Sequence, residues 1–240
     1  MIDWLKRPPI DPEIELNGEI VPIVLRRHAR AKRLTLRLAP DGQAVQITLP
    51  GWANTNEAIA FAHARSDWLA DQHARIPKRS VPRPGGEVSY RGEAIALEWN
   101  ASAPRRPVLN DNTLTLGGPE SSFATRIRRW LEREALALFE ADMCDYTSAA
   151  KLKAVPIALS RAQKRWGSCS DKARIRINWR LVQAPDHVRR SVVAHEVAHL
   201  VHFDHSPAFH ALLSDIYEHD IASADAWLKQ HGRSLYSSFG

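Results

Sequence analysis

The sequence predicts an α+β fold, with a β-rich N-terminal part containing one helix and a C-terminal unit of helices packed on a small twisted sheet. Apolar residues alternate with period two through residues 20–49, whereas helical periodicity dominates beyond residue 119. Between these regimes, Pro77, Pro82, Pro84, Gly85 and Gly86 make residues 77–86 the clearest linker. The expected division is 1–85 as the β-rich region, 86–118 as short strands and a connector, and 119–240 as the helix-rich C-terminal unit. A chain of 240 residues can bury a sizeable core as one large domain or two small ones.

Taken in order, Leu34, Leu36 and Leu38 alternate before the turn Asp41-Gly42, and Val45, Ile47 and Leu49 alternate after it. Asn54 with Glu57 marks a helix start, and Ala58, Phe61, Ala62, Arg65, Trp68 and Leu69 extend one amphipathic helix over 55–75. Short strands are expected at 87–90, 94–99 and 113–116. A long helix near 120–148 carries the stripe Phe123, Ile127, Trp130, Leu131, Leu138 and Ala141. Strands are expected at 155–160 and 174–179, and a helix from Pro185-Asp186 to about His202 or Phe203. Ser206-Pro207 opens the next helix, and a last one at 221–231 stops at Gly232. No internal repeat is evident.

Composition narrows the function classes. Hydrophobic residues at 44% and charged residues at 25% describe an ordinary globular chain. Two cysteines, Cys144 and Cys169, make no disulfide framework, and no apolar run suits a signal peptide or a membrane span. A cytoplasmic protein with no membrane partner is expected. The net charge of +6 is unevenly spread. Residues 26–37 carry six Lys/Arg and no acid, and residues 161–190 carry nine against Asp171 and Asp186. Such stretches mark either an anionic partner, nucleic acid included, or solvated strand faces.

The chemistry concentrates in His195-Glu196-Val197-Ala198-His199-Leu200. Histidines four apart project from one helix face and can reach one metal ion. Glu196, one residue past the first ligand, is placed to deprotonate a metal-bound water as general base. The flanking Val192, Val193, Val197 and Ala198 bury this helix, and three buried polar side chains need partners that one metal ion and its water would supply. Six of the eleven histidines fall between His195 and His219. His205 follows the expected helix end and is the favoured third ligand over His210 and His219. His202 lies about 20° from His195 on a helical wheel but almost two turns away. Three histidines and an open position describe a catalytic zinc site, one Zn2+ per chain.

These residues carry a resemblance. The run 195–200, followed by Asp204-His205-Ser206-Pro207-Ala208-Phe209, resembles the YgjP-like metallopeptidases, related to the SprT-like and WLM branches of the zincins. Arg165-Trp166-Gly167-Ser168-Cys169-Ser170 and Ile177-Asn178-Trp179-Arg180-Leu181 with Pro185 match further signatures, and a weaker likeness reaches residues 26–49 and Asp67-Trp68-Leu69. The resemblance implies a zincin fold, with His195, His199 and His205 as ligands and Glu196 as general base. His210 departs from the pattern, since relatives usually carry an aromatic residue there, typically tryptophan.

Other residues stay open between two roles. Arg161 and Arg165 either bind a substrate carboxylate or phosphate or are solvated. Trp166 and Gly167 are candidates to line the cleft. Asn178 either orients a ligand or ends a strand, and Cys169 reads as a small buried thiol before it reads as a ligand or nucleophile. The expected function is a zinc-dependent metallohydrolase, foremost a metallopeptidase acting on a polypeptide or anionic substrate. Hydrolysis of a nucleotide phosphoanhydride and a nucleic-acid-binding module with structural zinc are the rivals. An edge strand bordering an open groove would favour the peptidase, and a closed arginine-lined pocket the nucleotide enzyme.

Overall fold

The computed structural model describes residues 12–39, 41–76 and 80–239. The architecture is α+β, with six helices and three small mixed sheets among the described residues. The chain divides into two compact units, Met1–Arg79 and Ser80–Phe239. Residues 77–79 of the expected linker lie outside the described residues. No described helix is long and apolar enough to cross a membrane.

In the first unit, strands β1 (Glu13–Leu16), β2 (Glu19–Arg27), β3 (Thr35–Leu38) and β4 (Val45–Leu49) form a sheet in the order β1-β2-β4-β3. The alternating Val21, Ile23, Val45, Ile47 and Leu49 are buried beneath helices α1 (Thr55–His63) and α2 (Ser66–Ala74). The single helix expected over 55–75 is therefore two. Arg65, at φ −121°, breaks the run. A twisted sheet turns away from a long straight helix, and the break lets α1 follow β4 while α2 follows β1 and β3. Part of the basic stretch 26–37 is structural. The Arg27 guanidinium donates to the carbonyls of Gly51 and Ala53, both at 2.9 Å, and to the Thr55 hydroxyl at 3.0 Å.

The second unit opens with the same topology. Strands β5 (Glu87–Tyr90), β6 (Glu93–Trp99), β7 (Val108–Asn110) and β8 (Thr113–Leu116) pair in the order β5-β6-β8-β7, with β6 parallel to β8 as β2 is to β4. Both first hairpins read Glu-x-x-x-x-Gly-Glu, and both turn through two residues of positive φ, Asn17-Gly18 and Arg91-Gly92. The chain does contain an internal repeat. It escapes sequence inspection because the shared residues are confined to that one short hairpin, and alternation and strand order carry the rest.

The β5–β8 sheet shares one core with the rest of the second unit, built around helix α3 (Phe123–Ala149). The buried stripe of α3 runs through Phe123, Ile127, Trp130, Leu131, Ala135, Phe139, Met143 and Tyr146. Leu138 is only partly buried and Ala141 is exposed, because the stripe keeps the 3.6-residue period from Leu131 onward. Strands β9 (Ile157–Ser160), β10 (Gly167–Cys169) and β11 (Ile175–Asn178) form the third sheet in the order β10-β11-β9. The three-residue β10 has no sequence signal, since Gly-Ser-Cys offers neither alternation nor branched side chains.

A 3-10 turn over Trp179–Gln183 leads into helix α4 (Asp186–Ala198), followed by α5 (Pro207–Ile216) and α6 (Ile221–His231). The β5–β6 turn pins the start of α4. Arg91 N–H donates to the Val182 carbonyl at 2.8 Å, Gly92 N–H to Gln183 at 3.1 Å, and the Arg91 guanidinium pairs with Asp186. Gly92 has to be glycine here, because its φ is +87° and a Cβ would meet Pro185 at 2.9 Å. α4 ends at Ala198, earlier than expected. The final turn tightens through Leu200 N–H to Val197 and Val201 N–H to Ala198, which leaves His199 as the C-cap.

Candidate metal centre

His195 occupies the last turn of α4, and His199 caps it. The Nδ1 of His199 lies 2.9 Å from the His202 carbonyl. A proton on Nδ1 donates there and leaves Nε2 as the free lone pair. The chain then turns through residues 200–205 and brings His205 back over the helix end. Ser206 caps α5 by accepting from Phe209 N–H, with Pro207 at the first helical position. That geometry seats Phe209, which is fully buried, beneath all three imidazoles. Its ring centroid lies 5.0, 4.6 and 4.9 Å from those of His195, His199 and His205.

The three Nε2 atoms converge. His199 Nε2 lies 3.1 Å and His205 Nε2 lies 3.3 Å from His195 Nε2. Tetrahedral ligands about 2.0–2.1 Å from one ion stand roughly 3.3 Å apart. A single ring proton could satisfy only one of the two contacts, whereas one cation satisfies both. Together these histidines form a cluster able to hold a metal ion. Burial first, then His199, His205 and His210, push the His195 imidazole down to about 4, so it is neutral and free to ligate near pH 7.

Glu196 is 5% exposed and sits against β10. Burial pushes its carboxyl up to about 7, while the Arg165 charge and a hydrogen bond from the Cys169 backbone pull the other way. Its Oε2 is buried with no hydrogen-bond partner among the described residues. A buried, partnerless carboxylate oxygen beside three convergent lone pairs fits a site built around a cation and a water. The residues present suit a zinc ion, as neutral imidazoles and a nearby proton acceptor are its usual surroundings.

A cleft of about 410 Å³ opens onto this centre, lined by Trp166, Gly167, Val192, Glu196, His205 and Leu213 among others. Trp166 thus stands in the cleft wall, its ring 5.7 Å from that of Tyr236. His210, on α5, also lines the cleft. Arg161 and Arg165 line a different cavity, of about 510 Å³, and Arg161 is paired with Glu132 at 2.8 Å. Asn178 is fully buried behind the loop. It donates to the Ala162 carbonyl at 2.8 Å and the Tyr236 hydroxyl at 3.3 Å, and accepts from Arg180 N–H. Cys169 is a half-buried thiol whose pKa is raised by burial and then by Glu196, which is not how a nucleophile is activated.

The basic stretch 161–190 is less basic in space than in sequence. Arg189 is buried against Asp142 at 2.8 Å, Arg190 pairs with Asp142, Asp145 and Glu218, and Arg180 lies over the rings of Trp179 and Tyr236. Two contributors escaped sequence reasoning, the Phe209 platform and the His202 carbonyl. The first follows from the Ser206-Pro207 cap, which fixes where the third residue of α5 points; the second carries no sequence signal, being backbone.

A family model described as YgjP-like, metallopeptidase domain, matches residues 32–231. No curated protein and no solved structure matches the chain.

Proposed function

The chain belongs to the YgjP-like metallopeptidase family, and from that premise we propose that it is a zinc-dependent peptidase whose second unit is a zincin-like catalytic unit. In this reading His195, His199 and His205 hold one zinc ion. The observation that carries it is the convergence of their three Nε2 atoms beside the partnerless Oε2 of Glu196. Bound zinc supplies Lewis acidity toward a peptide carbonyl and lowers the pKa of water. Glu196, with its carboxyl held near neutrality, takes a proton at Oε2 and passes it on to the leaving amine. An intact, orphaned carboxylate at this position argues against a purely structural zinc, which needs no proton acceptor.

The edge of β10 favours a polypeptide. Asn178 N–H donates to the Trp166 carbonyl and Ser170 N–H to Arg174, so residues 166, 168 and 170 spend their backbone groups on β11. Gly167 and Cys169 therefore turn theirs toward the open edge, and the Cys169 N–H meets Glu196. An extended peptide can add to such an edge as a further strand beside the metal centre. The arginine-lined cavity involves Ser168, on the opposite face of β10 from Glu196. The Arg165 charge reaches Glu196, but neither Arg161 nor Arg165 lines the cleft over the histidines, which disfavours nucleotide phosphoanhydride hydrolysis, in which the guanidiniums would grip phosphate at the centre itself. Both cysteines are free thiols, which suits a cytoplasmic protein.

The test incubates zinc-loaded full-length protein with an unfolded polypeptide and, separately, with nucleoside triphosphates, using Glu196→Gln as the blank. Peptide-bond cleavage lost in that variant at unchanged zinc content is expected. Release of pyrophosphate or phosphate with no peptide cleavage would overturn the reading.

A further inference from the structure

We propose that the outer face of β10 carries an acidic-residue subsite, in which Arg165 and Arg176, flanking Ser168, take a carboxylate side chain of the polypeptide bound along that strand. The proposal rests on the peptidase reading and deepens it.

Side chains on a strand alternate between faces. A Cβ on Gly167 would point at Glu196, so Ser168 points the other way, into the cavity of about 510 Å³. Its cross-strand partner is Arg176, exposed on the same outer face of β11. The loop after β9 closes the cavity with Arg161, Ala162 and Arg165. Three guanidiniums thus surround one cavity with one carboxylate among them, because Glu132 offsets Arg161 alone. Arg165 and Arg176 make no ion pair among the described residues, and Arg165 acts on the Glu196 carboxyl through its charge alone. The hydrogen-bonding forks of both guanidiniums are left for a ligand.

A peptide added to β10 obeys the same alternation. Residues facing α4 enter the metal cleft, and the residues between them face the arginines. The added strand would lie about two strand spacings, roughly 10 Å, from β11, within the combined reach of a glutamate and an arginine side chain. Nucleic acid fits less well, because phosphate binding gains affinity from many contacts along a track. Here Arg180, Arg189 and Arg190 turn inward, and the remaining patch suits one or two carboxylates.

The experiment digests a library of denatured proteins with the zinc-loaded full-length enzyme and sequences the cut sites. Asp and Glu should be enriched at positions two apart and not at the position between, and the enrichment should collapse in Arg165→Gln/Arg176→Gln. A second arm measures anisotropy of a labelled glutamate peptide and its glutamine counterpart on Glu196→Gln protein. The glutamate peptide should bind about fivefold more tightly at low salt, the effect of a partly exposed charge pair, and the double variant should erase that ratio. Cleavage without acidic preference, or a preference the double variant keeps, overturns the subsite while the peptidase reading stands. If no polypeptide is cut, the peptidase reading fails, and the anisotropy ratio still decides the subsite. Arginine-dependent binding of single-stranded DNA with no glutamate preference would reassign the cavity to nucleic acid.

Discussion

Gly167 and Glu196 touch so closely that no other residue fits at 167: a Cβ there would lie 2.7 Å from Cγ and 2.8 Å from Cδ of the glutamate. The backbone φ of Gly167 is not positive, so the requirement is space and not conformation. The carboxylate rests on the bare backbone of β10, with Cys169 N–H as donor. Gly167→Ala should therefore push the Glu196 carboxylate aside without touching a metal ligand. We expect zinc content to stay at the wild-type level and turnover to fall about 100-fold, as for a general base misplaced by an ångström. Near-normal turnover with bound zinc would mean that Glu196 is not held by this contact.

Zinc should stabilise the fold measurably, because two of the three histidines lie at or beyond the end of α4, in chain that the metal would cross-link. At free zinc about 100-fold above its dissociation constant the gain is roughly 2.7 kcal/mol. For a unit of this size that corresponds to a rise in Tm of about 5–10 °C. Calorimetry with chelator and then with added zinc checks this. His205→Ala should show a smaller rise, and a wild-type protein indifferent to zinc would remove the cluster from consideration as a metal site.

Phe209 should matter to metal affinity although it offers no ligand atom. It packs against His195, His199 and His205 at once and limits how each ring can turn. Phe209→Leu keeps an apolar side chain in a fully buried position but removes the flat support. A loss of about tenfold in zinc affinity is expected, the scale seen when the groups that orient ligands are altered. Competition with a chromogenic chelator measures it, and unchanged affinity would show that the loop alone sets the triad.

Much of this site was legible because the relevant signals are local. The i, i+4 spacing of His195 and His199 reads off any helix, and Ser206-Pro207 announces α5. What stayed hidden depends on distant chain meeting in space. The β10 strand is recognisable only once β11 pairs with it, and the buried partner of Arg189 lies 47 residues away at Asp142. Charge was the most misleading local signal. Nine cations in 161–190 read as one surface, yet Arg189 is 2% exposed and Arg180 is 5% exposed. The two-helix break at Arg65 had no glycine or proline to mark it.

The Arg189 pairing leads to a stability prediction with a defined pH sign. Arg189, near the start of α4, is buried against Asp142 of α3 and also bonds Asp186, which Arg91 holds from the β5–β6 turn. Arg190 joins Asp142 to Asp145 and Glu218. Removing one partner strands a buried charge, so Asp142→Ala should cost about 3–5 kcal/mol in urea unfolding. Replacing both Asp142 and Arg189 with leucine or methionine should recover much of that loss. Burial alone would raise the Asp186 and Glu218 carboxyls. Hydrogen bonds and the charges of Arg91 and Arg189 outweigh it at Asp186, and a backbone N–H, Tyr146 and Arg190 outweigh it at Glu218. Both groups are thus held below the ordinary carboxylate range. Their contribution is fully present above the unfolded value, near pH 4, and is lost as pH falls through the lower folded values. Urea midpoints should be flat from about pH 7 to 5 with respect to these groups and drop below pH 4. Asp186→Asn should lower the plateau and make that acid-side drop shallower. An equally steep drop in the variant would assign the acid sensitivity to other carboxylates.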